Sequence, residues 1–77
     1  MKIRILFFGS LAEKIGAKEM SIDHQGDVDS LKNKLFDDYP NIKELTFKLA
    51  INTELINFNK ELNDGDVVAL LPPFSGG

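Results

Sequence analysis

The constraint that most limits this chain is that it contains only one long helical stripe. "GDVDSLKNKLFDDYP" sets Val28, Leu31, Leu35, Phe36 and Tyr39 at helical spacing, so one side of the segment is apolar. Asp27 is the expected N-cap, and Pro40 ends the run. Lys32, Asn33, Lys34, Asp37 and Asp38 fall largely outside the stripe. Most of the remaining apolar residues read as strands. One helix cannot bury a sheet unless the sheet curls over it, and 77 residues supply one small core.

Alternation places the strands. "KIRILFF" (Lys2 to Phe8) puts Ile3, Ile5 and Phe7 on one face and Arg4, Leu6 and Phe8 on the other. "KEMSID" (Lys18 to Asp23) alternates with Met20 and Ile22 inward. "FKLAIN" (Phe47 to Asn52) groups Phe47, Leu49 and Ile51. "NTE" then reads as a tight turn and "LINF" (Leu55 to Phe58) as a short returning strand. "LNDGD" (Leu62 to Asp66) is a turn whose Gly65 tolerates positive φ, and "VVALLP" (Val67 to Pro72) is the last strand. Between the first two strands, Ser10 is expected to cap a short helix with Glu13 at the capping-box position. Gly16 stops that helix after about Ile15.

The first and last strands are apolar on both faces, as central strands are. Side by side, joined by the intervening crossover, they run in the same direction. The expected fold is α+β, a β-grasp: a mixed sheet with parallel terminal strands curled over one main helix. Residues 1–77 form a single domain, with a flexible tail expected over 73–77. If the helix covers one side of the sheet, Leu6, Phe8, Val68 and Leu70 need cover elsewhere. The pattern leaves open which parity faces the helix. A contiguous exposed apolar patch would mark an interface; loop side chains folded over it are the alternative.

Several function classes drop out. The net charge is -3 and the lysines and arginines are scattered, so nucleic acid is not an expected partner. With no cysteine there is no disulfide, thiolate metal site or thiol nucleophile, and a reducing compartment fits. No stretch approaches the ~20 apolar residues of a membrane span, so no membrane partner is expected. Lys2 and Arg4 ahead of "ILFFGSLA" faintly resemble a secretory leader. That apolar part is short and Arg4 interrupts its approach, so a strand, and a cytoplasmic protein, is expected.

His24, the single histidine, falls in a loop, too little for a zinc site. Asp23, Asp27 and Asp29 fail the EF-hand spacing. Asp37 and Asp38, adjacent on a helix, do not converge on one substrate. Ser10 and Ser75 lack the glycines of a nucleophile elbow, and "GSLAEKIG" lacks the Lys-Ser/Thr of a P-loop. No metal site and no self-sufficient active site is expected.

What remains is "LLPPFSGG" (Leu70 to Gly77). Pro72 and Pro73 have no backbone donors, so strand pairing ends there and the exit stiffens. The following residues, Phe74, Ser75, Gly76 and Gly77, reach at most ~14 Å when extended. Two glycines without side chains can enter a narrow channel and let reagents approach the last carbonyl closely. A frayed terminus is the plain alternative.

"GDVVALLPPFSGG", with "AIN" upstream and "ILFFGSLAEKIG" at the front, resembles the small subunits of molybdopterin synthases, the ubiquitin-like sulfur carriers of molybdenum-cofactor biosynthesis. The resemblance spans nearly the whole chain, and its specific part is the final segment. Two departures bear on partner fit. Asp66-Val67-Val68 stands where the family often has Asp-Glu-Val, and Phe74 is bulkier than the family's usual valine or alanine.

The resemblance implies no permanently bound cofactor. An E1-like adenylating enzyme uses ATP to form an acyl-adenylate at Gly77. A sulfur donor protein displaces AMP and leaves a thiocarboxylate. The molybdopterin synthase large subunit, in a heterotetramer of two small and two large subunits, takes in the tail. There the sulfur attacks cyclic pyranopterin monophosphate, and two carriers supply the dithiolene. Gly77 is the reacting residue, Gly76 gives clearance, and Phe74 and Ser75 dock. Phe8, Leu70, Pro72 and Pro73 are the candidate partner interface. A carrier for thiazole or tungsten-cofactor synthesis would share this end. So would a ubiquitin-like modifier, and a plain interaction domain with an inert tail is a further class.

Overall fold

The computed structural model describes residues 1–73. Its elements run β1 (Lys2–Phe7), α1 (Ser10–Ile15), β2 (Glu19–Asp23), α2 (Val28–Asp38), a 3-10 turn (Pro40–Ile42), β3 (Lys48–Ile51), β4 (Glu54–Ile56) and β5 (Val67–Leu71). The five strands form one sheet in the order β2-β1-β5-β3-β4. β1 and β5 are parallel; the other neighbours are antiparallel. This is the expected β-grasp, with the chain's first and last strands adjacent at the centre.

The register decides which residues the helix covers. Ile5 lies beside Val68 and Phe7 beside Leu70. All four are buried, as are Val28, Leu31 and Leu35 of α2. Leu11 from α1, Ile42 from the 3-10 turn and Leu62 from the loop before β5 complete the same cluster. Met20 and Ile22 pack against it from β2, as their alternation requires. Val68 and Leu70 therefore belong to the helix side. Their grouping with Leu6 and Phe8 is corrected: the residues of β5 that share a face with Leu6 are Val67, Ala69 and Leu71.

The short helix starts differently from the expectation. Gly9, not Ser10, is the N-cap of α1, and no side chain caps it. Gly9 sits at φ 60°, ψ -136°, a backbone conformation that residues with a Cβ rarely adopt, so the turn out of β1 is made there and Ser10 is already helical. Gly16 closes α1 in the left-handed conformation, as expected.

The turn after β3 uses two residues at positive φ, Asn52 at 50° and Thr53 at 73°. Two such residues make the tight connection that matches strand twist in a hairpin. Asn52 is then fixed by three bonds to the start of β5. Its backbone N–H donates to the Val67 carbonyl at 2.8 Å. Its Nδ2 donates to Asp66 Oδ1 and its Oδ1 accepts from Val67 N, both at 2.9 Å. Asp66 Oδ2 accepts from Asn63 N at 2.8 Å. Asp66 is the one charged residue among the described residues that is buried, and both its oxygens are bonded, so it costs little to bury.

Asp27 caps α2. Its Oδ1 accepts from Ser30 N at 2.9 Å, its Oδ2 accepts from Asn59 Nδ2 at 2.9 Å, and Ser30 Oγ accepts from Asp27 N at 3.1 Å. The Asn59 amide first, and then the Ser30 backbone, favour the charged carboxylate and hold Asp27 at about 2, below its ordinary 3.8. A depressed folded-state value means that the unfolded chain takes up the proton first. The cap's charge-dependent stabilisation is complete above 3.8 and lost as pH falls through about 2. Asp27→Ala therefore lowers the thermal midpoint at neutral pH, and its deficit against the parent shrinks across that window. Melting curves on a pH series check this, and a deficit that stays constant through the window would contradict it.

Candidate functional site

β5 is bonded on both sides, to β1 and to β3. It ends at Leu71, and Pro72 and Pro73 follow, both exposed. The tail root thus leaves the middle of the sheet, not an edge. It leaves close to the β1–α1 turn: a Cβ placed on Gly9 would lie 3.1 Å from Pro72 Cγ. Phe8 N donates to the Leu70 carbonyl at 3.2 Å, which ties that turn to the end of β5.

Beside the tail root, on the face away from α2, is a groove of about 340 Å³ lined by Leu6, Phe8, Ala50, Leu55, Leu71 and Pro72, among others. Its shape follows from side-chain size. Ala50 and Ala69 stand directly opposite one another on β3 and β5, and Leu6 is beside Ala69. Two methyl groups leave a hollow between larger neighbours. Phe8 is 45% exposed and Leu55 58% exposed. Loop side chains do not close this face: the described structure leaves it as an apolar surface running into Pro72. A surface of that kind, continuous with a chain exit, has the character of a candidate interaction site.

Of the expected interface residues, Phe8, Pro72 and Pro73 are at the surface. Leu70 is not: it is fully buried, opposite Phe7 and facing the helix, so it offers a partner no surface. Leu71 takes that place, and it was missed because β5 is apolar at every position and carries no alternation to read. Phe74, Ser75, Gly76 and Gly77 lie outside the described residues.

The remaining polar clusters are structural. His24 Nε2 lies 3.1 Å from Ser30 Oγ, and Asp27 is close by, which gives the residue types of a catalytic triad. The bonding does not match one. Ser30 Oγ donates to the Asp27 carbonyl at 2.9 Å, and the Asp27 carboxylate is occupied by Ser30 N and Asn59. The serine proton is committed to the cap, and the carboxylate does not orient the imidazole. Among the described residues no group of three or more His, Asp or Glu side chains could hold a metal ion, and no helix is long and apolar enough to cross a membrane.

Leu70 and Leu71 test the assignment of faces. Leu70→Ala should cost about 2–5 kcal/mol, the range for a leucine removed from a packed core. Leu71→Ala should cost less than about 1 kcal/mol, as for a surface change. Urea denaturation of both variants measures this, and equal costs would show that the faces are misassigned.

The comparisons with known proteins agree with this geometry. The model of the ThiS family matches residues 5–77. The chain is 31% identical over 81 residues to the molybdopterin synthase sulfur carrier subunit of Escherichia coli, covering 97% of this chain and 99% of that protein. It is similar to a solved chain in the complex of subunits 1 and 2 of the molybdopterin-converting factor from Helicobacter pylori, with 35% identity, TM-score 0.75 and full coverage of both chains. It is also similar to the small archaeal modifier protein 1 of Methanosarcina acetivorans, with 25% identity, TM-score 0.83, and 99% and 96% of the two chains covered.

Proposed function

The chain belongs to the ThiS family, and from that membership we propose that it is the sulfur carrier subunit of a molybdopterin synthase. One observation carries the reading. A strand held on both sides delivers Pro72 and Pro73 to the rim of an apolar surface, and the sequence continues Phe74-Ser75-Gly76-Gly77. The body docks through Phe8, Leu71 and Pro72, while the tail reaches into the partner's pocket.

Carboxylate chemistry sets the order of events. A terminal carboxyl group has a pKa of about 3.5, so at neutral pH it is an anion and a poor electrophile. Adenylation at the expense of ATP, by an E1-like enzyme, turns the Gly77 carboxylate into a mixed anhydride with AMP as leaving group. A sulfur donor protein displaces AMP, and Gly77 becomes a thiocarboxylate. The absence of cysteine from the chain fits a sulfur carried on a carboxyl group and not on a side chain. In the large subunit the thiocarboxylate sulfur forms a carbon–sulfur bond to cyclic pyranopterin monophosphate as an oxygen leaves that carbon. Water then cleaves the acyl–sulfur bond and returns the Gly77 carboxylate, and two carriers in a heterotetramer with two large subunits complete the dithiolene. Gly76 lets the pocket close around the chain. Basic groups that orient the thiocarboxylate come from the partner.

A second reading has specific support in the likeness to the archaeal modifier: a ubiquitin-like protein that spends the activated carboxyl on a lysine amine. Intact mass separates the two. After incubation with the activating enzyme, ATP and sulfur donor, the carrier gains about 16 Da, one oxygen replaced by sulfur. A modifier gains the mass of a second protein.

The thiocarboxylated chain mixed with the large subunit and cyclic pyranopterin monophosphate should give molybdopterin, and the carboxylate form none. Deleting Gly77 should abolish both the mass change and the product. Molybdopterin formed at the parent rate by the Gly77 deletion would end this proposal.

A further inference from the structure

A second, larger concave surface lies between α2 and β4. It is an open groove of about 740 Å³. Phe36 and Phe47 line it, stacked edge to face with ring centroids 6.0 Å apart at 86°. Phe58 also lines it and is 64% exposed, the most exposed large apolar side chain among the described residues. A monomer gains nothing by holding a phenylalanine in water beside a hollow of aromatic rings.

The backbone beside the groove is open too. β4 is an edge strand, paired only with β3. Ile51 and Glu54 flank the two-residue turn and form its bonded pair. In an antiparallel ladder the next pair, Ala50 and Leu55, is then the non-bonded one. The N–H and C=O of Leu55 point away from β3 and are available to a strand laid alongside.

The charge of the groove runs against that of the molecule. The chain carries a net charge of -3, yet the charged residues lining the groove are Lys32 and Lys48 against Asp29 alone. Among the described residues neither lysine pairs with a carboxylate.

We infer that this groove docks an extended, acidic peptide segment of a partner protein. Its apolar residues sit against Phe36, Phe47 and Phe58, and its backbone is clipped to Leu55. Its alternate carboxylates face Lys48 on the other side of the sheet edge, and an acidic residue at the end of the apolar run faces Lys32. This is strand addition with side-chain anchoring, a general mode of peptide capture. A second copy is the poorer occupant, because a symmetric pair through this groove would bring two linings of the same net positive charge together. The inference goes beyond the sulfur-carrier reading and does not rest on it. The groove meets the tail-side surface only along Lys48 and Leu55, so a partner could hold the carrier here while the tail is engaged elsewhere.

The test uses the full chain and two variants away from that border, Lys32→Glu and Phe58→Ser. A short soluble peptide of alternating valine and glutamate with two glutamates at each end, so that acidic side chains fall on both faces of the strand, is titrated into isotope-labelled protein and followed by NMR. Its counterpart with lysine in place of glutamate is the control. The glutamate peptide should move the amide signals of Lys32, Leu55 and Phe58 and bind more tightly than the lysine peptide. Lys32→Glu should weaken it about fivefold to tenfold. Phe58→Ser should weaken it as well, and both variants should keep the parent's circular dichroism spectrum. Four results would each overturn the inference: no signal changes, changes confined to the tail-side face, equal binding of the lysine peptide, or the same amides moving with protein concentration alone, which would assign the groove to a second copy.

Discussion

The parallel ladder between β1 and β5 joins the two ends of the chain, and the rest of the domain is arranged around it. Arg4 to Phe7 run beside Val67 to Leu70. Backbone bonds close the ladder at its start, where Arg4 N donates to the Asp66 carbonyl at 3.0 Å, and at its finish, where Phe8 N donates to Leu70. A parallel pair requires a crossover, and here the crossover is nearly the whole chain, with α2 packed across one face of the sheet. Ile3, Ile5, Phe7, Val68 and Leu70 of these two strands are each at most 2% exposed, and Leu49 and Ile51 of β3 join them in the core. No local element can form this core alone, because Val68 and Leu70 arrive only with the last strand.

α2 covers one face of the sheet, and the opposite face carries the tail-side groove. Its residues are not a random apolar remainder. Ala50 and Ala69 meet at the middle, Phe8, Leu55 and Leu71 surround them, and Pro72 turns the chain out at the rim. The tail root, Pro72, thus stands at a fixed place beside this surface. Asp66 and Asn52 strengthen this arrangement from the opposite end of β5, by bonding the hairpin turn to the strand's first residues. Those two residues were read from the sequence only as turn formers. Their pairing joins segments far apart in the chain, which no local pattern reports.

What the sequence disclosed follows the same division. Elements with a period or a cap were legible: the α2 stripe, its Asp27 cap, the alternation of β2, the positive φ at Gly65 and the neighbouring central strands. Parity in β5 was not, because Val67 through Leu71 are apolar at every position and only pairing with β1 assigns their faces. Ser10 was mistaken for a cap because its residue type suits one. The backbone's need for a glycine at the turn put the boundary one residue earlier. The tail's chemistry rests on resemblance and on carboxylate reactivity, not on any periodicity.

The central position of β5 also settles how the molecule bears a mechanical load. A pull on β5 along its own axis loads it from both sides. The ladders to β1 and β3 lie on either side of that axis, and their bonds are strained together in shear instead of parting one after another like a zipper. The same tug on β4, held from one side only, would peel it away.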